Sequence, residues 1–150
     1  MFTLKARSLT LAYDPQTLSL TIRLSDESWS WGAEPLIRLS DGRQLLFRKA
    51  ACAATPYKSG VTQGVKAVYS CFRDEQGQVV PLAVHTLVAV DDTDDTVRFE
   101  LRLENDQAGE IDAVAWPAAM AFAAEAGAGA TVLPYMQGAL IPARWPKAVD

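Results

Sequence analysis

The chain offers a single histidine for acid–base chemistry, His85. General acid–base catalysis needs a second group within hydrogen-bonding reach of the first. His85 stands in the run Val-His-Thr-Leu-Val, which has the pattern of a strand, and a lone histidine there is more often structural than catalytic. We therefore predict a structural or surface role for His85 and no catalytic residue in this chain.

Motifs that mark common catalytic and cofactor sites are absent from the sequence. No serine stands in Gly-x-Ser-x-Gly, the turn that carries hydrolase nucleophiles. No Gly-x-Gly-x-x-Gly or Gly-x4-Gly-Lys run occurs that could cradle phosphates. The two cysteines, Cys52 and Cys71, form no Cys-x-x-Cys motif, and without an export signal we expect reduced thiols. We predict neither a cofactor nor a metal ion.

Aspartates crowd the segment 91–95, which reads Asp-Asp-Thr-Asp-Asp. Carboxylate oxygens are the ligands that calcium prefers, but the spacing and the glycine of an EF-hand loop are missing. Polar residues of this kind also favour turns, because their side chains bond to the backbone nearby. We favour a solvated hairpin tip over a calcium site.

Two tryptophans, Trp29 and Trp31, flank one serine. On a strand both indole rings face the same side, because side chains alternate. Such a pair could stack on sugar rings, which makes Trp29 and Trp31 the candidate carbohydrate-binding residues. The alternative, which we favour, is packing in the core or against a neighbouring domain, because aromatic side chains dominate buried surface.

Composition sets the class of the protein. The chain has 150 residues, of which 49% are hydrophobic and 21% charged, and this is typical of one globular domain. A net charge of -4 without a basic stripe argues against a nucleic-acid partner. The sequence lacks both a signal peptide and the roughly 18 consecutive apolar residues of a membrane span. We expect a soluble, cytoplasmic domain that does not enter membranes.

Period-two alternation of apolar and polar residues runs through most of the chain and indicates strands. We predict four hairpins, 9–13 with 18–24, 36–39 with 45–47, 61–72 with 79–90, and 84–90 with 96–103, then strands at 111–116 and 131–133. The arms of the third hairpin are long enough to expect a bulge. The segment 117–126 is the one helix candidate, or else a loop. The prediction is an all-β fold, an antiparallel sandwich with little helix.

The segment 131–142, Thr-Val-Leu-Pro-Tyr-Met-Gln-Gly-Ala-Leu-Ile-Pro, is apolar and contains two prolines and a glycine. It resembles a segment at the end of the N-terminal β-sandwich domain of certain large glycoside hydrolases. The opening strand, Asp-Pro-x-Thr turn and strand at 9–24 are similar to the start of those domains. The resemblance implies a supersandwich of the galactose-mutarotase kind, followed by a catalytic (β/α)-barrel.

The resemblance also implies which residues shape the junction with that barrel. The segment is stiff and apolar, so its exposed side chains would form a patch of the kind that marks interfaces. The predicted domain-interface residues are Leu133, Pro134, Tyr135, Met136, Gly138, Leu140, Ile141, Pro142 and Trp145. The sequence given ends before any barrel, so no catalytic carboxylate can be assigned by the resemblance.

We predict that 1–150 is one β-sandwich domain, the N-terminal part of a longer glycoside hydrolase. In this hypothesis the chain is a non-catalytic accessory domain, and its partners are a C-terminal catalytic domain of the same protein and carbohydrate. Two alternatives remain open. One is a stand-alone carbohydrate-binding module that uses Trp29 and Trp31. The other is a small mutarotase-like sugar epimerase that uses His85 and a carboxylate.

Overall fold

The computed structural model describes residues 1–25, 27–31, 34–106, 109–118, 120–123, 130–133 and 139–142. These contain one short 3-10 helix, Phe47–Lys49, and are otherwise built of strands and turns. The strands are β1 (Phe2–Lys5), β2 (Leu9–Asp14), β3 (Ser19–Leu24), β4 (Glu27–Trp31), β5 (Leu36–Leu39), β6 (Gln44–Leu46), β7 (Ala51–Ser59), β8 (Thr62–Ser70), β9 (Phe72–Arg73), β10 (Val79–Val80), β11 (Leu82–Asp91), β12 (Val97–Asn105), β13 (Ile111–Ala115), β14 (Met120–Ala123), β15 (Ala130–Leu133) and β16 (Ala139–Pro142).

Two antiparallel sheets form the body of the sandwich. The first sheet has five strands in the order β1-β2-β3-β4-β14, and the second has four in the order β12-β11-β8-β7. Smaller sheets are β13-β5-β6, the ribbon β10-β9 and the hairpin β15-β16. Every pair of described strands is antiparallel, so the predicted all-β sandwich is confirmed. Among the described residues, none belongs to a helix long and apolar enough to cross a membrane.

The core lies between the two large sheets, and Phe47 of the 3-10 helix packs into it. Tyr13 on β2 and Tyr69 on β8 are fully buried, and their hydroxyl oxygens lie 3.1 Å apart. Phe47 from the 3-10 helix meets the ring of Tyr69 edge-on at 4.9 Å and the ring of Phe72 at 5.5 Å. Aromatic pairs in this geometry add about 0.5–1.5 kcal/mol each beyond their buried area.

The four predicted hairpins are all present. β2 pairs with β3 across the Asp-Pro turn, and β5 pairs with β6 across Gly42, whose φ of 90° fits a tight turn. β11 pairs with both β8 and β12. Phe47, which we placed at the end of a strand, belongs instead to the 3-10 helix.

The bulge expected in the third hairpin lies beside Cys71 and Pro81. Tyr69 lies opposite Val84, whereas Phe72 lies opposite Val80. The arm from 80 to 84 therefore contains one residue more than the arm from 69 to 72, which is the bulge. Cys71 has a φ of 53° and separates β8 from β9, and Pro81 separates β10 from β11 on the other arm. Proline has no N–H to donate to a ladder, which is why it is found at such irregularities.

The helix candidate at 117–126 is wrong where the structure describes it. Met120–Ala123 is a strand, β14, that pairs with β4 and extends the first sheet. Alanine-rich composition favours a helix only weakly, and pairing with an open sheet edge outweighs that preference. The structure also contains strands that the pattern did not mark, namely β7 and β16.

Candidate functional site

The two candidate carbohydrate-binding tryptophans lie on β4, and their indole rings face the core side of the first sheet. Trp29 lies opposite Ile22, whose side chain is in the core. Trp31 meets the ring of Tyr13 edge-on, with 5.8 Å between centroids. Both indoles are half-buried and pack against the core, which agrees with the alternative that we favoured. Sugar stacking by Trp29 and Trp31 stays a prediction.

Trp116, at the other side of the sandwich, is a core residue. It is 8% exposed and meets the ring of Phe99 edge-on at 5.9 Å. The indole nitrogens of Trp31 and Trp116 are both buried without a hydrogen-bond partner among the described residues.

The predicted domain-interface residues lie mostly outside the described part of the chain. Pro134, Tyr135, Met136, Gly138 and Trp145 are among the residues that the structure does not describe. The remaining four contribute backbone to a hairpin in which β15 pairs with β16, and they are Leu133, Leu140, Ile141 and Pro142. Their role at an interface stays a prediction.

The acidic segment 91–95 forms the turn between β11 and β12, as predicted. Asp91 accepts hydrogen bonds from the backbone N–H and the hydroxyl of Thr93, at 2.9 and 2.6 Å. Asp95 accepts from the backbone N–H groups of Ser8 and Leu9, at 2.8 and 3.1 Å, and from the Ser8 hydroxyl. Within the part of the chain that the structure describes, no group of three acidic, histidine or cysteine side chains is arranged to hold a metal.

These hydrogen bonds perturb the acidity of the turn. The Ser8 hydroxyl and N–H hold the pKa of Asp95 below its usual value, and Thr93 does the same for the pKa of Asp91. Donors favour the charged carboxylate over the neutral acid. Asp94 also accepts from the backbone N–H of Thr96 at 3.1 Å, and Asp92 from the Gln63 amide at 2.9 Å, so all four aspartates have hydrogen-bond donors within the described residues.

A groove of about 440 Å³ crosses the outer face of the second sheet. Its position follows from strand register, because His85 on β11 lies opposite Val68 on β8 and Arg102 on β12. Two residues further along, Leu87 lies opposite Lys66 and Glu100. Side chains that pair directly share one face of a sheet. The lining is completed from β7 by Ala53 and Thr55.

A carboxylate on β12, outside the lining of the groove, lies beside the single histidine. His85 Nε2 lies 3.2 Å from Oε2 of Glu104, a separation that allows an ion pair when the imidazole is protonated. The contact lacks the geometry of a hydrogen bond, since Nε2 has no such partner among the described residues. Arg102 donates to the other oxygen of Glu104 at 2.8 Å. Glu104 thus already has a cationic partner in Arg102.

A second polar group, remote from the surface, joins the two sheets. The Tyr69 hydroxyl donates to the carbonyl of Pro15 at 3.0 Å and lies 3.1 Å from the Tyr13 hydroxyl. Burial raises the pKa of Tyr13 to about 12 and raises those of Tyr69 and Cys52 as well. Neutral, hydrogen-bonded phenols in a dry core have a structural role, because catalysis would need access to a substrate.

The sequence contained a signal for part of this groove. The hairpin 84–90 with 96–103 implies that Arg102 pairs with His85, and Glu104 is then the diagonal neighbour on the same face. The contribution of β7 was missed because Pro56 argues against a strand. The structure resolves this, since β7 lies at the edge of the described sheet, where proline is tolerated.

The chain is similar in structure to an α-N-acetylgalactosaminidase, NagBb from Bifidobacterium bifidum. Against the complex of that enzyme with Gal-NHAc-DNJ, the TM-score is 0.78 and the sequence identity 26%, over 97% of this chain and 23% of that chain. Against its complex with GalNAc, the TM-score is 0.76 and the identity 25%, with the same coverage of both chains. No protein-family model matches the sequence, and no curated protein sequence is similar to it.

This chain corresponds to only one part of each of these hydrolases. Nearly all of this chain finds a counterpart, but it spans less than a quarter of the length of these hydrolases. The β-sandwich is thus a fold that occurs as one part of a larger glycoside hydrolase.

Proposed function

We propose that the chain is a non-catalytic accessory domain of a glycoside hydrolase, and that it forms the N-terminal part of that protein, ahead of a catalytic barrel. The observation that carries the proposal is the match over 97% of this chain to 23% of an α-N-acetylgalactosaminidase. Glycosides of α-linked N-acetylgalactosamine are therefore the first substrates to test on the whole protein. The supersandwich of the galactose-mutarotase kind remains part of the proposal.

The chemistry of the outer groove supports a non-catalytic role. Glycosidases hold two carboxyl groups about 5–9.5 Å apart across the scissile bond. Glu100 and Glu104 share the outer face of β12, four residues apart, which separates their Cα atoms by roughly 13 Å. Glu104 is also neutralised by Arg102 at 2.8 Å. The pair is therefore poorly placed to act as acid and nucleophile.

The experiment begins with the coding DNA beyond the codon for Asp150. We expect an open frame of several hundred residues with alternating strand and helix patterns. The chain 1–150 and the longer protein are then assayed with a chromogenic α-N-acetylgalactosaminide. We expect release of chromophore by the longer protein only. Hydrolysis by 1–150 alone, or a stop codon directly after Asp150, would refute the proposal.

One observation favours a second candidate, a mutarotase-like sugar epimerase. His85, which lines the groove, and Glu104, beside the groove, form a candidate acid–base pair with 3.2 Å between Nε2 and Oε2. The groove of about 440 Å³ is large enough for a monosaccharide. The test is polarimetry of freshly dissolved α-galactose with 1–150, His85→Ala and Glu104→Gln. Faster equilibration by the wild type that both variants lose would support this candidate. A wild-type rate equal to that of buffer would exclude it.

A further inference from the structure

The two outward faces of the sandwich differ sharply in chemistry. On strands β1–β4 every outward position except Ala12 carries a hydroxyl or charged side chain. Lys5 and Arg23 are among the charged ones. A sheet face with this composition is typical of contact with water.

The outward face of the second sheet has an apolar centre instead. Leu87, at 8% exposed, and Val68, half-buried, lie in adjacent rows of the groove, with Ala53 beside them. The whole of β11 reads Leu-Ala-Val-His-Thr-Leu-Val-Ala-Val-Asp, so its apolar residues occupy both faces. A strand that is apolar on both faces is the pattern of a sheet covered on both sides. Among the described residues, the core covers only one of these faces.

The rim of this face carries charges of both signs that already have partners. Arg102 is paired with Glu104 at 2.8 Å, and Glu104 also meets His85 at 3.2 Å. The ammonium of Lys66 lies over the ring of Tyr57, 4.4 Å from its centroid. A balanced rim offers no net attraction to a polyanion such as nucleic acid or an acidic membrane. It suits the polar border of a protein–protein contact, in which an apolar centre is enclosed by polar groups.

The face has room for a contact between domains. Four strands about 4.8 Å apart and the six steps from Ala51 to Tyr57 give a surface of roughly 19 by 20 Å, or about 400 Å². Interfaces between domains of one chain bury about 600–1,500 Å² over both partners. The face therefore matches one side of a contact of this kind.

We propose that the outer face of the second sheet, centred on Val68 and Leu87, is the docking surface for the catalytic domain of the same protein. This inference rests on the proposed function and adds to the C-terminal segment predicted as the junction. The occupant is a protein surface with an apolar projection that fills the groove. Around this projection, the occupant must carry charges of both signs that contact Lys66, Glu100 and Arg102.

Competitive acetylation of lysines tests the proposal without any substitution. Lys66 reports on the docking face, and Lys5, exposed on the outward face of the first sheet, is the matched control. Native 1–150 and the protein that continues through the catalytic domain are treated with N-hydroxysuccinimidyl acetate, and peptide mass spectrometry follows each amine. We expect Lys66 to react about ten-fold more slowly in the longer protein, because the contact must open first, and Lys5 to react equally in both.

The other outcomes are distinct. Equal rates at Lys66 in the two proteins, or slowing at Lys5 instead, would refute the docking face while the proposed function stands. Absence of a catalytic domain beyond residue 150 would refute the proposed function and this inference together. Slowing of Lys66 in 1–150 that grows with protein concentration would assign the face to a second copy of this chain and would contradict the proposal.

Discussion

The carboxylate of Asp95, in the turn between β11 and β12, accepts hydrogen bonds from the backbone N–H of Ser8 at 2.8 Å and from its hydroxyl group. The two residues are 87 positions apart in the chain: Ser8 lies in the turn between β1 and β2 of the first sheet, and Asp95 in the turn between β11 and β12 of the second. Asp95 also has a φ of 56°, a conformation that aspartate and asparagine tolerate better than most residues. Asp95 thus serves the local turn through its backbone conformation and the approach of the two sheets through its side chain.

Replacing Asp95 by Asn should weaken this link without disturbing the turn, because Asn also tolerates a positive φ. The variant loses the charge that strengthens the bonds from Ser8 and Leu9. We expect a lower midpoint of urea unfolding for Asp95→Asn. Asp94→Asn is the control, since Asp94 accepts one bond, at 3.1 Å, from Thr96 within the same turn. A larger loss for Asp94→Asn would contradict this account.

The same contact makes stability depend on acid. Hydrogen bonds from Ser8 lower the pKa of Asp95 in the folded chain, so folding favours the ionised form. Its contribution is fully present above the unfolded pKa, about 3.9, and is lost as pH falls through the lower folded value. As the pH is lowered from 5 through the pKa of Asp95, we expect the urea midpoint of the wild type to fall more steeply than that of Asp95→Asn. Parallel pH profiles would show that Asp95 is not linked to folding.

The buried tyrosines should differ in their importance for stability. Tyr69→Phe removes the donor to the Pro15 carbonyl and the partner of Tyr13, which leaves buried polar groups unpaired. That loss costs about 1–3 kcal/mol. Tyr13→Phe leaves the bond from Tyr69 to Pro15 in place and should cost about 0.5–1.5 kcal/mol. Equilibrium urea unfolding of the two variants gives the order, and an equal or reversed order would be inconsistent with these roles.

Much of the fold was predictable because its strands alternate clearly. In β12 the apolar Phe99, Leu101 and Leu103 face inward while the charged residues between them are exposed, as their order in the sequence indicates. Strand β14 was not predictable, since Met-Ala-Phe-Ala has no polar alternation and becomes a strand by pairing with β4. β7 was hidden by Pro56, because only the sheet order shows that this strand lies at an edge.

The candidate sites were harder to predict than the fold. Spacing placed Trp29 and Trp31 on one face, but it could not tell that this face is the one towards Ile22 and the core. That choice depends on how the sheets stack. The pairing of His85 with Glu104 required the register of β11 and β12, which local patterns define only to within a residue or two.

Gly64 on β8 should resist even the smallest substitution. A methyl group there would come within 2.6 Å of the Val88 carbonyl oxygen and 2.7 Å of the Ala89 side chain. Crowding of this kind usually costs about 1–3 kcal/mol, and Gly64→Ala should lose at least that much in urea unfolding. The double variant Gly64→Ala/Ala89→Gly should recover only part of the loss, because the contact with the Val88 backbone remains. Full recovery, or a stable Gly64→Ala, would contradict the close packing of β8 and β11.

The orientation of Trp29 and Trp31 predicts the outcome of a carbohydrate titration. Both indoles face the core side of the first sheet and are half-buried, so a sugar cannot stack flat on them without displacing their packing. We expect no saturable change in the tryptophan fluorescence of 1–150 with N-acetylgalactosamine, galactose or soluble polysaccharides. Trp31→Phe keeps an aromatic ring near Tyr13 and serves as the matched variant. A saturable change in the wild type that Trp31→Phe reduces would instead support a carbohydrate-binding module.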